Sequence, residues 1–362
     1  MRDEIKVVGA IFTNKGNLEK VNSDLVSKCF FDVLNRSFGI RGTILQKAYF
    51  INTYLFSKVW YLAQCFKLQK NMLENILAKA LKFMYAGENE RPVRILNFRD
   101  GAIGGLHLVN PIVKARALLL RTMVRDFRSK NGYMYDVDSL KEIYGYSEDF
   151  EKVLKLRIDS SRQIYEELMN DILVRNNSLI PSRNEKRSRG IKWSVAWKNW
   201  SKLRGVDATE REFAWKIQQD MLNNGSRLHR PNADKRCMLL LDDGTNCVEI
   251  ETREHLFVRC ETVVELFSVC SDIIKGVLEK NVGVDEILHL SFNHRCKSRL
   301  TVAVWFAVKA MFKIYQNNQR NKMQLLLEII KEIDWNLDLN RKIGSIKDLR
   351  FLKDRIKLSL GL

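Results

Sequence analysis

Between residues 42 and 84 the apolar side chains recur at intervals of three and four, first as Leu45, Tyr49, Leu55, Val59 and Leu62, then as Met72, Ile76, Leu77 and Leu81. That period turns one face of a helix toward a core at each turn, and it predicts two or three amphipathic helices here. Upstream, Ile5-Lys6-Val7-Val8-Gly9-Ala10-Ile11-Phe12 is a short apolar run of strand character with no obvious pairing partner, leading through Asn14-Lys15-Gly16-Asn17 into helical pattern. Helical periodicity returns over 114–127 and over 263–332. Three irregular stretches separate these parts. Residues 88–111 contain Arg91-Pro92 and the run Asp100-Gly101-Ala102-Ile103-Gly104-Gly105; 176–190 carry Pro181 and a basic run and make the best linker; 223–234 precede a compact cysteine-containing unit. No internal repeat or low-complexity tract is visible.

Only 4 prolines and 18 glycines occur in 362 residues, so few positions interrupt regular backbone and a mainly α fold is expected. With 46% apolar and 29% charged residues the composition suits globular domains and excludes a wholly disordered tail or a collagen-like fibre. The formal net charge of +18 makes polyanions the natural partners. Charges at Arg2, Asp3, Glu4 and Lys6 stand where a secretory signal needs an unbroken apolar run, which points to an intracellular, unsecreted chain in nucleus or cytoplasm. The most apolar later window, 300–308, is closed by Arg299 and Lys309 and falls far short of the ~20 residues that span a bilayer, so no membrane partner is expected. Seven cysteines, an odd number, read as free thiols or metal ligands rather than a disulfide framework.

Four metal-type residues fall within one short segment: Cys237, Cys247, His255 and Cys260. Thiolates and an imidazole at short spacing suit a closed tetrahedral zinc site. Asp243-Gly244, flanked by Leu239-Leu240-Leu241, is a hairpin signal that would bring the first two sulfurs together. Thr252 has the character of a helix cap, which would place His255 and Cys260 on one short helix. The competing reading is a set of buried thiols with one surface histidine, since free cysteine packs as a small apolar residue. Cys270 is a substitute ligand of lower rank, and His107, His229, His289 and His294 stand apart as ordinary histidines.

The segment 183–204 interleaves Arg183, Lys186, Arg187, Arg189, Lys192, Lys198, Lys202 and Arg204 with Trp193, Trp197 and Trp200, against the single acid Glu185. Basic side chains neutralise phosphates, and aromatic rings can stack on unpaired bases. The tryptophans, however, are spaced four and three apart, as on the core face of a helix, and the basic residues are the better nucleic-acid contacts. No Gly-x-x-x-x-Gly-Lys loop or Gly-x-Ser-x-Gly elbow occurs, no proline is followed by Asp, and the pair Asp242-Asp243 reads as turn chemistry, so no residue is assigned a catalytic role.

Three stretches together resemble the carboxy-terminal part of a non-LTR (LINE-like) retrotransposon reverse transcriptase. Lys6-Val7-Val8-Gly9-Ala10-Ile11-Phe12 is similar to the strand that follows the palm. Gly104-Gly105-Leu106-His107-Leu108 with Ala117-Leu118-Leu119-Leu120 is similar to the family's Gly-Gly-Leu-Gly-Leu segment and its helix. Cys247, Glu251-Thr252, His255-Leu256-Phe257 and Cys260, preceded by Phe213-Ala214-Trp215, resemble its zinc-binding region. The resemblance implies a thumb and a zinc knuckle that grip RNA or DNA, with palm and fingers absent from this chain, upstream partners if it is part of a polyprotein, and no polymerisation by this chain alone. The expected organisation is a palm-end strand and thumb-like helices over 1–130, a helical connector with the basic Trp-rich segment over 131–224, a zinc-binding region with a small β-hairpin and helix over 225–275, and a C-terminal helical region over 276–362. The alternative is a helical adaptor that binds other proteins, its charge serving solubility.

Overall fold

The computed structural model describes residues 4–7, 10–13, 17–86, 94–128, 147–158, 160–175, 190–222, 236–237, 247–316, 322–338 and 343–362. It is mainly α, and among the described residues the only strands are β1 (Glu4–Val7) and β2 (Ala10–Thr13). The chain divides into two compact units, Met1–Glu90 with Leu106–Ile180 (unit 1) and Arg91–Gly105 with Pro181–Leu362 (unit 2). This division cuts across the segments anticipated from the sequence, because the short 3-10 turns Arg94–Phe98 and Gly101–Ile103 group with the later half of the chain.

In unit 1 the opening apolar run is not one strand lacking a partner. It folds back on itself, with β1 antiparallel to β2 and Ile5 opposite Phe12. β2 lies against α1 (Leu18–Ser37), where the fully buried Asn22 donates from Nδ2 to the Ile11 carbonyl at 2.9 Å and accepts the Ile11 N–H on Oδ1 at 3.0 Å. Asn17 caps α1 by accepting the Lys20 N–H. The 42–84 periodicity resolves into α2 (Ile44–Phe50), α3 (Ser57–Ala63) and α4 (Lys70–Met84), the first two joined by a π-wound turn, Ile51–Leu55. Thr43 and Gln46 form a capping box that starts α2.

The helix expected from residue 114 begins earlier, as α5 (Pro111–Arg128). Proline's fixed φ and missing N–H suit the first helical position, and the Asn110 side chain accepts the N–H groups of Ile112 and Val113 at 3.0 and 3.4 Å. α5 is the centre of the unit, packed against α3, α4, α6 (Ser147–Lys155) and α7 (Ser161–Arg175). Asn52 holds its approach, donating to the His107 carbonyl and accepting the Val109 N–H. Phe30, Ile51, Leu55, Phe56, Val59, Ile76, Leu120 and Met123 fill the core.

Unit 2 contains α8 (Trp193–Ser201), α9 (Ala208–Gln218), α10 (Glu261–Leu278), α11 (Val284–Leu288), α12 (Lys297–Gln316), α13 (Lys322–Asp338) and α14 (Ile346–Ser359). α12 runs through its middle against α9, α10, α13 and α14, and every residue from Val302 to Phe312 is buried. The apolar window at 300–308 is therefore a core helix, apolar on all sides because it is covered on all sides. No described helix is long and apolar enough to cross a membrane. The glycine-dense turn has a packing cause. Gly104 takes a φ of 85°, a Cβ there would meet the Trp197 ring at 2.6 Å, and its carbonyl accepts from Trp215 Nε1 and Gln219 Nε2 at 3.1 and 2.8 Å. A Cβ on Gly105 would overlap the Arg99 carbonyl.

Candidate metal centre

Four elements of local structure bring the Cys/His residues together. Arg236 and Ile250 form an isolated antiparallel bridge, and the Cys237 N–H donates to the Glu249 carbonyl at 2.7 Å, which draws Cys237 toward Cys247. The Asp243-Gly244 turn anticipated between them lies outside the described residues. Thr252 is the cap expected of it, accepting the His255 N–H on Oγ1 at 3.0 Å. The turn that follows, His255–Arg259, is π-wound, closed by the Cys260 N–H donating to the His255 carbonyl at 2.8 Å.

The end of that turn corrects the expectation of both ligands on one short helix. Cys260 lies just beyond the turn in extended backbone, as the N-cap of α10. In α winding, residues five apart point in different directions; an i→i+5 closure brings His255 and Cys260 to the same side.

Cys237, Cys247, His255 and Cys260 are all buried, and one ligand atom from each lies within 4.8 Å of the others. The Cys237 and Cys260 sulfurs are 3.9 Å apart, and Cys247 Sγ is 3.4 Å from His255 Nε2. A tetrahedral ion with metal–sulfur bonds of about 2.3 Å and metal–nitrogen bonds of about 2.0 Å has ligand–ligand edges of roughly 3.5–3.8 Å, so these distances fit. They do not fit a disulfide, whose sulfurs stand about 2.05 Å apart. Thr262 Oγ1, 3.0 Å from Cys260 Sγ, is placed to hydrogen-bond a thiolate from the second layer. The cluster can hold a metal ion, with four protein ligands and no position reserved for substrate, which is the arrangement of a structural rather than a catalytic site. Cys270 takes no part in the cluster: it is buried along α10, and burial pushes its thiol up to about 12, so it remains a neutral core residue.

One neighbouring group escaped the sequence reading. His289 is fully buried, its ring edge-on to Trp193 at 4.7 Å between centroids, and neither ring nitrogen has a partner among the described residues. Burial first, and the Arg253 charge second, lower it to about 3 against the opposing pull of Glu254. Nothing in chain spacing links residue 289 to residue 253, so only the fold reveals the pairing. His294 is a surface residue whose Nδ1 accepts the Cys296 N–H; His107 lies in unit 1, and His229 lies outside the described residues.

Of the basic residues singled out, Arg183, Lys186, Arg187 and Arg189 lie outside the described residues. Lys192, Lys198, Lys202 and Arg204 are exposed along and just beyond α8, and none pairs with a carboxylate among the described residues. Trp197 and Trp200 are buried on the other face, with Trp193 half-buried, so the tryptophans are core, as their spacing indicated. The fold also assembles an ionic cluster that the sequence does not advertise: Lys309, buried in α12, donates to Glu210 at 2.6 Å and Glu332 at 2.5 Å. Burial raises the Glu210 carboxyl above its ordinary range, against the lowering effect of Lys309. No family model matches this chain, and no curated protein matches it.

Proposed function

We propose that this chain is a nucleic-acid-binding segment stabilised by one structural zinc ion, of the kind that follows the palm in non-LTR retrotransposon reverse transcriptases. The observation that carries the reading is the rim of exposed cations at Lys192, Lys198, Lys202 and Arg204, none paired with a carboxylate among the described residues, on a chain of net charge +18. Such a rim neutralises phosphates without reading base identity, so binding to RNA and DNA strands is electrostatic and weakly selective. Zinc is the ion that best suits three thiolates and one imidazole in tetrahedral array, and it adds folding energy rather than chemistry. The quartet supports the family resemblance through Cys247, His255 and Cys260, with Cys237 as fourth ligand. No polymerase activity is assigned to the chain.

The test is affinity for a single-stranded oligonucleotide across a salt series. Each phosphate neutralised on a single strand contributes about 0.7 to the log–log slope, so replacing Lys192, Lys198, Lys202 and Arg204 together by Ala should flatten the slope by about 3. Binding that ignores salt, or a variant slope equal to the wild type, would overturn the reading.

One observation favours the helical-adaptor alternative. Phe38, Tyr49, Tyr54 and Tyr61 are all exposed in unit 1, where a protein partner could cover them. Under that reading the chain shows no strand binding at low salt.

A further inference from the structure

From Arg36 to Tyr85 the chain carries eight lysines and arginines and a single acid, Glu74, which is paired with Lys70 at 3.7 Å. Four aromatic rings of this stretch lie in contact. Phe38, the C-cap of α1, meets Phe83 of α4 at 6.2 Å between centroids; Phe83 meets Phe50, at the end of α2, at 5.9 Å; and Phe50 lies on Tyr54, in the π-wound turn, at 5.1 Å. The two ends of the row are open, with Phe38 60% and Tyr54 56% exposed, whereas Phe83 is buried at 3% and Phe50 is half-buried. Single exposed rings are ordinary, but rings joined by contact form a continuous apolar surface.

The border of that surface is cationic. The Lys47 ammonium sits over the Phe83 ring at 5.4 Å, the exposed Lys82 adjoins Phe83 in α4, and the exposed Arg36 and Arg41 flank Phe38 within three residues. None of these four cations pairs with a carboxylate among the described residues. An apolar strip bordered by cations and free of acids complements an anionic partner that has an apolar face of its own.

We propose that this face of unit 1 docks an acidic amphipathic helix of a partner protein, its apolar stripe seated along Phe38, Phe83, Phe50 and Tyr54 and its carboxylates meeting Lys47, Arg41 and Lys82. A helix suits the surface better than an extended segment. The row is built on helices and a helical turn, whose backbone presents no open edge to pair with a strand, and a helical partner satisfies its own backbone groups. A nucleic-acid strand is the weaker match, because base stacking needs open ring faces. Phe50 and Tyr54 lie against each other at an interplanar angle of 29°, and Lys47 already covers Phe83. The proposal gives the adaptor alternative a site and a class of partner, and it rests on residues separate from those of the strand binding proposed above.

Fluorescence anisotropy on the full chain tests it, with a labelled synthetic peptide of about 15 residues, roughly four helical turns, carrying Leu or Phe at i, i+3, i+4 and i+7 and Glu elsewhere. The comparison probes are the same residues in scrambled order, the same stripe with Lys in place of Glu, and a thymidine oligonucleotide. The Glu peptide should bind with a Kd of about 10 μM or tighter, and the scrambled and Lys peptides about tenfold more weakly or worse. Phe38→Ala with Tyr54→Ala, both at exposed positions, should weaken the Glu peptide about tenfold or more. Arg41→Glu with Lys82→Glu should weaken the Glu peptide and strengthen the Lys peptide, an exchange of preference that unfolding does not produce. Glu-peptide binding that is absent at about 100 μM, equal for the scrambled order, or indifferent to the Phe38 and Tyr54 substitutions overturns the proposal. So does a loss of oligonucleotide affinity instead of peptide affinity in that variant, which would assign the face to a strand. Replacing Lys192, Lys198, Lys202 and Arg204 should leave peptide binding unchanged, so failure of strand binding and failure of helix docking are read separately.

Discussion

Among the described residues the two units bury different chemistry. In unit 1 the buried polar side chains are Asn22, Ser23 and Ser37, all uncharged, set among apolar helices. Unit 2 buries Arg99, Glu210, Glu212, Asp220, Arg253, His255, His289, Lys309 and Asp348, together with the Cys237, Cys247 and Cys260 thiols. Burying a charge costs several kcal/mol unless it is paired or bound to a metal, whereas an apolar core carries no such obligation. Unit 1 is thus held mainly by shape and by amides that serve backbone groups, its ion pairs such as Lys152 with Glu167 and Asp171 lying part-exposed, and unit 2 by buried specific partners whose loss or protonation should undo it. Acid, chelators and charge deletions are expected to act on unit 2 and to leave unit 1 largely unmoved.

The largest expected separation comes from the metal. One zinc per chain should co-purify, measured by plasma emission spectrometry, and chelation or His255→Ala should destabilise unit 2 by several kcal/mol, since a structural zinc contributes its binding energy to folding. In limited proteolysis, new cleavage should fall within Pro181–Leu362; metal-free protein with unchanged melting would remove this half of the comparison. Next is Lys309→Ala. It strands the buried Glu210 without its cation, while Glu332 keeps Lys313, and urea denaturation should record a loss of about 3 kcal/mol.

His289 gives a pH signature. Its folded value lies near 3, below the ordinary 6.5, so the unfolded state binds the extra proton: stability is fully present above pH 6.5 and is lost as pH falls from there toward 3. The loss is on the order of 5 kcal/mol at the acid end, and His289→Leu should flatten that part of the curve while the remaining slope persists. An identical slope in the variant would mean that the acid response originates elsewhere. The smallest effect sharpens the contrast from the other side. Asn52→Ala removes both bonds that steer the chain into α5 and should cost unit 1 about 1–2 kcal/mol, with the same value at pH 5 and pH 8.

Sequence periodicity identified the helices, the core face of the α8 tryptophans, the Thr252 cap and the metal-type quartet, because each is a relation between residues close together in the chain. It missed the hairpin at the start, since Ile5 to Phe12 reads as one continuous apolar run and the antiparallel pairing of its two halves leaves no change of period. The π-wound turn was also invisible, because His255-Leu256-Phe257-Val258-Arg259 carries ordinary helix-compatible residues and the winding is set by packing. Lys309 with Glu210 and Glu332, and His289 beside Trp193, are contacts between distant parts of the chain. Each residue alone looks like a surface group on an amphipathic helix, and no local pattern distinguishes the buried one.

The Asn22 side chain has a consequence beyond the stability of α1. A two-stranded ribbon has an unpaired rim on either side, and any extended segment can dock there by backbone hydrogen bonds. Asn22 occupies the β2 rim at Ile11, offering one donor and one acceptor in place of a third strand. A single amide thus closes, at Ile11, the rim of β2 that would otherwise be open to an extended segment.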